Sequence, residues 1–311
     1  MALPDHLRFI ERGWLSANNV VFGGESPAII DTGYCTHAAQ TTLLVQGALD
    51  DLGAGPLARI INTHLHSDHC GGNAALLAAW PQAQVAVPPG EAQAARDWDE
   101  SELSYRATAQ DCPRFAVHAV LTPGERIQLG PLYWEVLAAP GHDPHSVVLY
   151  QRHHKLLISA DALWENGFGV VFPELEGEQA FDEVAGTLDV IDALNIECVL
   201  PGHGGLFHDA QAAVARARVR LEGFVRAPSK HARYAVKALV MYRMMAEQRL
   251  REDALVQLLA PAHFYQVVAQ RWAGGDTAGL LRDVINELVE RGQLVRRTDA
   301  DTASPTLLLA A

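Results

Sequence analysis

The sequence predicts an α/β domain followed by a mainly helical module, and three observations carry that prediction. Strand-like and helix-like stretches alternate over roughly the first two thirds of the chain. Four short segments rich in His, Asp and Gly each follow a strand-like run. The charge also reverses: residues 1 to 212 carry 9 Lys/Arg against 27 Asp/Glu, whereas residues 213 to 311 carry 15 against 10. Such asymmetry marks two modules, 1–212 and 213–311, with the boundary somewhere in 205–232.

The composition narrows the class. With 49% hydrophobic residues in 311, the chain can bury a sizeable core. No run of eighteen apolar residues occurs, so no membrane span is expected. The opening MALPDHLRFIERGW has acids and no apolar core, which is unlike a signal or transit peptide. Cys35, Cys70, Cys112 and Cys198 are scattered without a CxxC pair, which fits free thiols in a cytoplasmic protein. The acidic first module disfavours a nucleic-acid partner there; the basic second module leaves one open.

Taken in order, NVVFGGESPAIIDTG gives two short strands around a Gly-Gly turn, the second ending at Asp31. THAAQTTLLVQGALDDLG is helical by spacing and ends in glycine. LARIINTH is a buried strand, CGGNAALLAAWP a helix stopped by Pro81, and AQVAVPP a strand. YWEVLAAPGH, HSVVLYQ and KLLISAD are strands. EQAFDEVAGTLDVIDALN is an amphipathic helix leading into the strand IECVLPGHGG. Beyond it, ARYAVKALVMYRMMAEQRL, EDALVQLLA, FYQVVAQRW and DTAGLLRDVINELVERG read as helices, the last with an Asp-Thr start and a glycine stop. QLVRR, a turn through TDADTASP, and TLLLA make a hairpin. Three helices and a hairpin outline a winged helix.

The chemistry concentrates in INTHLHSDHCGGN, residues 61–73, where His64, His66, Asp68 and His69 fall within six positions. In an extended segment His64 and His66 point to the same side, so both imidazoles reach one ion. Asp68 and His69, in a turning loop, can face a second. Four ligands are too few for two ions of the zinc type, which usually take four each. His142, Asp161 and His203 stand just past strand ends, where α/β sheets collect their ligands, and complete the set. An aspartate with two oxygens can bridge ions roughly 3.5 Å apart. Zinc is the first choice, while mixed N/O ligation also suits iron or manganese.

H-x-H-x-D-H, then a histidine after Pro-Gly, an aspartate, and Pro-Gly-His resembles the metallo-β-lactamase superfamily over roughly residues 15–210. The resemblance is to the branch with glyoxalase II and the β-lactamase-like endoribonucleases. It implies a four-layer αβ/βα sandwich. It also implies that His64, His66 and His142 hold one ion, that Asp68, His69 and His203 hold the other, and that Asp161 bridges them. The DTG at 31–33 matches an early motif whose aspartate is usually structural.

Other residues have two readings. His145 is a substrate or proton-handling group, or a solvated side chain. Trp164, Phe168 and Phe172 line an apolar substrate wall or pack the core. Cys70 is a small filler under the histidine loop rather than a ligand. His153, His154 and His208 are solvated. The stretch Arg216–Arg251 has ten Lys/Arg against Glu222 and Glu247. Its Lys230, Arg233 and Lys237 hold a carboxylate or phosphate of a small-molecule substrate, or form a solvated helix face.

The reaction expected is hydrolysis by a hydroxide bridging two divalent ions, with Asp68 orienting the nucleophile and carrying its proton. The favoured substrate is a thioester, ester or lactone. Phosphodiester hydrolysis as an endoribonuclease is the alternative, suited to the basic tail. A DNA-binding regulator acting through the tail is a third reading, which the seven-ligand set disfavours. A secreted β-lactamase fits less well.

Overall fold

The computed structural model describes residues 3–100, 102–297 and 305–310. Two sheets dominate the first part. One contains β1 (Leu7–Ile10), β2 (Asn19–Phe22), β3 (Ala28–Ile30), β4 (Arg59–Ile61), β5 (Gln84–Val87) and β6 (Ala119–Val120), in that spatial order. The other runs β11 (Cys198–Pro201), β10 (Leu156–Ala160), β9 (Val147–Gln151), β8 (Leu132–Ala138), β7 (Arg126–Leu129). Helices α1 (Ala38–Asp51), α2 (Ser67–Cys70), α3 (Asn73–Ala79), α4 (Ala92–Asp97) and α5 (Ser104–Ala107) follow the strands of the first sheet. Helices α6 (Phe172–Glu176), α7 (Ala180–Asp192) and α8 (Ala210–Arg226) accompany the second.

The period of two along the strands decides which residues meet. In β2, β3 and β4, Val20, Phe22, Ile30 and Ile61 face Trp134, Leu149, Ile158 and Leu200 of the opposite sheet. Their neighbours Val21, Ile29 and Ile60 face Val45 and Leu49 of α1 and Leu76 of α3. On the far side Tyr150, Leu157 and Val199 pack on Phe181, Val184, Leu188, Ala213, Val214 and Ala217 of α7 and α8. Strands buried on both faces read as continuous apolar runs for this reason. Helix, sheet, sheet and helix form the expected four layers.

The third part has α9 (Pro228–Glu247), β12 (Arg249–Arg251), α10 (Glu252–Leu259), α11 (His263–Trp272), α12 (Thr277–Glu290), β13 (Leu294–Arg297) and β14 (Thr306–Leu309). The hairpin strands pair antiparallel, and β12 adds to β14, giving the order β12-β14-β13. Most of the hairpin turn, 298–304, lies outside the described residues. Asp276 caps α12 through the Gly279 N–H, as its Asp-Thr start implies. The charge reversal at 212/213 falls inside α8, whereas the packing changes after it. Ala210, Ala213, Val214, Ala217 and Leu221 all belong to the core of the second sheet, so the basic residues of α8 ride on the outer face of the first module. Sequence charge followed the solvent face of this helix and not its buried one.

The core of the third part also takes in Val170 and Leu175 from the segment after β10. This segment and α9 together close over one edge of the sandwich. β8, β10 and β11 share one direction, since β9 is antiparallel to both β8 and β10 and β11 is parallel to β10, so their carboxyl ends lie together at that edge. Asn18 and Thr63 stitch the two sheets there: Asn18 N–H donates to the Gly202 carbonyl at 2.7 Å and Val147 N–H to the Thr63 carbonyl at 2.9 Å.

Candidate metal centre

Four strand ends deliver the histidines and aspartates singled out in the sequence. The segment after β4 carries His64 and His66 and turns into α2, which carries Asp68 and His69. The turning loop expected at these two residues is thus one tight helical turn, Ser67–Cys70. His142 follows β8, Asp161 follows β10 and His203 follows β11.

Among the described residues, two groups of ligating side chains stand close enough to share an ion: His64 with His66 and His142, and Asp68 with His69, Asp161 and His203. Within each group the ligand atoms lie within 4.8 Å of one another. All seven residues are buried except His66, which is partly exposed. Asp161 stands between the groups. Its Oδ2 is 3.4 Å from His142 Nε2, while its Oδ1 is 3.3 Å from His69 Nε2 and 3.8 Å from His203 Nε2.

Hydrogen bonds behind the imidazoles fix which nitrogen is free. Asp31 accepts from Thr63 N–H at 2.9 Å and from the Thr63 hydroxyl at 2.8 Å. Its Oδ2 lies 2.8 Å from His69 Nδ1, and since a carboxylate only accepts, that nitrogen carries the proton. Thr63, having spent its proton on Asp31, accepts from His64 Nδ1 at 3.1 Å. His142 Nδ1 donates to the Val170 carbonyl at 2.5 Å. Nε2 is therefore the nitrogen that His64, His69 and His142 direct inward, and on His64 and His142 it is a lone pair. His64 Nε2 and His69 Nε2 are buried without a hydrogen-bond partner. Buried polar atoms are rarely left so, and an orphaned imidazole lone pair beside carboxylates is what a cation satisfies. The donor set fits two divalent ions.

The electrostatics agree for His64 and His66. Burial, then the neighbouring imidazoles, holds His64 well below the usual histidine range and His66 at about 4, so both stay neutral and able to ligate. Burial alone would raise Asp68 and Asp161. The surrounding histidines, His69 first, outweigh it and bring Asp68 to about 2 and Asp161 well below the carboxylate range. His69 is the exception: Asp161, Asp31 and Asp68 outweigh its burial and push it up, so its ring is the one that must give up a proton to ligate.

The backbone is shaped to this purpose. Asp31 and Ala160 have positive φ values of 55° and 46°, conformations that cost energy for residues with a side chain and that aim Asp31 and the following Asp161. Glycine is required where the chain passes the ligands. A methyl group on Gly169 would collide with His142 Nδ1, and one on Gly202 with Asp161 Oδ1.

A cavity of about 450 Å³ opens from the cluster. His66, Asp68, His142 and Asp161 form its floor. Trp14, Trp164, Phe172, Met241 and Met245 make much of its wall, with Lys237 and Arg291 as its cations. Glu287 lies beside these cations, 2.7 Å from Lys237, 2.7 Å from Arg233 and 2.8 Å from Arg291.

The expected substrate residues divide accordingly. Trp164 and Phe172 line the cavity, and Trp164 Nε1 donates to Asp161 Oδ1 at 3.2 Å. Phe168 does not: it is buried in the core of the second sheet under Arg220. His145 is exposed, with its ring over Gly90, and is not part of the wall. Lys230 is exposed on α9, and Arg233 turns to Glu287, so neither lines the cavity. Cys70, the last residue of α2, is buried, and its thiol fills space 3.2 Å from the Tyr105 hydroxyl.

The DTG aspartate, expected to be structural, contributes from behind, and two further contributors, Trp14 and Tyr242, stand outside the residues singled out in the sequence. Asp31 orients two imidazoles, His69 directly and His64 through Thr63. Trp14 stacks on His203 at a ring separation of 5.4 Å. Tyr242, on α9, places its hydroxyl 3.1 Å from Asp68 Oδ2 and 3.4 Å from His203 Nε2. Burial, then the Asp68 and Asp161 charges, pushes this phenol well up, so it stays a donor. Tyr242 sits among apolar residues at helical spacing, and nothing in that pattern separates it from core.

The chain belongs to the metallo-beta-lactamase superfamily, whose family model matches residues 12–203, and it is a hydrolase of that superfamily. It is 28% identical to the acyl-coenzyme A thioesterase MBLAC2 of Homo sapiens over 221 residues, 64% of this chain and 77% of that protein. It is 29% identical to a hydroxyacylglutathione hydrolase of Thermosynechococcus vestitus over 152 residues, 49% of this chain and 48% of the other. A metallo-beta-lactamase family protein from Thermus thermophilus shares the fold with a TM-score of 0.55 at 20% identity, covering 99% of this chain and 100% of that one. Among the described residues no helix is long and apolar enough to cross a membrane.

Proposed function

We propose that the protein is a dinuclear metal-dependent thioesterase. His64, His66 and His142 would hold one ion, Asp68, His69 and His203 the other, with Asp161 between them and zinc as the first choice. When bound, such ions lower the pKa of water towards neutrality and act as Lewis acids on a carbonyl. The chain supplies the rest. Asp68, on the cavity floor, orients the attacking water and takes its proton. A carbon–oxygen bond forms, the carbon–sulfur bond breaks, and the proton passes from Asp68 to the departing thiolate. Trp164, Phe172 and the methionines of α9 exclude bulk water from the reacting centre and receive an apolar acyl chain.

The observation that carries this reading is the cavity itself. Four of the seven ligating side chains, His66, Asp68, His142 and Asp161, open onto a wall that is mostly apolar, with cations gathered at one place. Arg233, Lys237 and Arg291 share the single carboxylate of Glu287, which leaves a local excess of positive charge in an otherwise acidic protein. An anionic thiol such as coenzyme A or glutathione suits that excess. Relatives named for acyl-coenzyme A and hydroxyacylglutathione substrates support the same chemistry. We read the last three helices and three-stranded sheet as a winged-helix-like cap on the cavity, and the protein as cytoplasmic.

The same cations favour a second reading, phosphodiester hydrolysis as an endoribonuclease. The test is a substrate panel with stripped protein reloaded with zinc, iron or manganese: long-chain acyl-coenzyme A, S-lactoylglutathione, a lactone, a β-lactam and single-stranded RNA. Thioester turnover with intact RNA is expected. RNA cleavage that fades steeply with salt, without thioester turnover, overturns the thioesterase reading.

A further inference from the structure

We infer that Tyr242 is a positioning residue for the Asp68–His203 half of the metal centre, so that a helix of the C-terminal module completes a site otherwise built by the sandwich. The inference rests on the two-ion reading. Its ground is the contact of the Tyr242 hydroxyl with both side chains, at 3.1 Å to Asp68 Oδ2 and 3.4 Å to His203 Nε2. Tyr242 lies well outside residues 12–203, the part that matches the superfamily.

Asp68 needs such a partner. It stands on α2, a single turn of four residues, and its Oδ2 also faces His203 Nε2 at 3.0 Å and His69 Nε2 at 3.8 Å. A carboxylate oxygen has two acceptor directions. A hydroxyl that occupies one of them orients the other towards the two imidazoles. The hydroxyl is carried on a rigid element. Val236, Leu239, Val240 and Met244 of α9 are buried, and Arg243 ties the helix to Asp111 at 3.0 Å. His231 of α9 also accepts from Val171 N–H at 3.1 Å, beside the segment that carries the Val170 carbonyl.

The other half of the centre is supported differently. His64 is oriented by Thr63 and His142 by Val170. Loss of the Tyr242 hydroxyl should therefore weaken one ion and spare the other. That selectivity separates positioning from a general packing role. It also makes the affinity of the second ion report on whether α9 is seated.

The experiment is a zinc titration of the stripped full-length protein against a competing chelating dye, with metal counted after desalting. Wild type is expected to bind two ions. Y242F, which keeps the ring, is expected to bind the first ion as wild type does and the second about tenfold more weakly. Y242Q, whose amide can donate in place of the hydroxyl, is expected to recover most of that loss. M245A, which trims a neighbouring cavity-wall side chain on α9, is expected to bind both ions normally. Y242F binding both ions like wild type, losing both equally, or matching M245A would overturn the inference. Wild type binding fewer than two ions would overturn the two-ion reading itself.

Discussion

His66 Nδ1 and His142 Nε2 face one another at 2.8 Å. The second of these is a lone pair, because His142 spends its one proton on the Val170 carbonyl. The contact thus holds either a proton on His66 or a cation in its place. Ligation by His66 through Nδ1 moves that proton to Nε2 and leaves the ring neutral, so zinc takes the proton's place between the two rings, and its uptake by the stripped protein should raise the melting temperature. A ligand at a hundred times its dissociation constant stabilises the folded state by about 2.7 kcal/mol. His66→Ala is expected to fold, to bind one ion fewer, and to lose activity by at least about a hundredfold. Calorimetry with metal counting checks this, and full activity in the variant would refute the mechanism.

Asp31 acts from behind. Asp31→Asn keeps a residue that tolerates the left-handed backbone, but its amide nitrogen accepts from neither the Thr63 hydroxyl nor His69, which both donate to Oδ2 of Asp31. Outer partners of ligating histidines are typically worth about tenfold to a hundredfold in metal affinity. The variant should bind metal about that much more weakly while retaining its circular dichroism. Unchanged zinc affinity in the same dye competition would show that the tautomers are set by something else.

Gly169 has no room for a methyl group. The Gly169→Ala side chain would run into the His142 ring, an imidazole already held by Val170. Overpacking of this kind costs about 1–3 kcal/mol. Stability should fall by that order in urea titrations, with activity falling further because the His142 ring is displaced. A variant with wild-type turnover would mean that the loop yields more readily than its contacts imply.

His231, which is not one of the seven ligating residues, gives a pH dependence of its own. Burial, then Arg220 and His142, lowers it to about 3, and its Nε2 accepts from Val171 N–H. The unfolded chain takes up this proton near 6.5, the folded chain only near 3. Between those values the unfolded state binds more protons, so acid favours unfolding and stability rises with pH. The urea midpoint should fall as pH drops from about 6.5 towards 3. His231→Gln, whose amide oxygen can still accept, should flatten that slope; an unchanged slope would assign it to other groups.

The sequence by itself determined the layered α/β class and the ligand set. Apolar runs bounded by turns state where strands lie, and a ligating histidine must be a histidine wherever it sits. His64, His66, Asp68, His69, His142, Asp161 and His203 were legible because their type and their places after strands are both local. The tertiary structure decided the rest. Asp31 is legible as a structural aspartate, but that its partner is His69 appears only when the fold brings them together, and Tyr242 is one more residue of an apolar helix until α9 lies across Asp68. Phe168 and Phe172 look alike along the chain, yet one packs the core and the other the cavity. The charge reversal at 212/213 likewise followed the exposed face of α8, because solvent sets charge locally while packing sets module boundaries. Side-chain identity is written residue by residue, but which groups meet depends on contacts between segments far apart in the chain, and those exist only once the layers have closed.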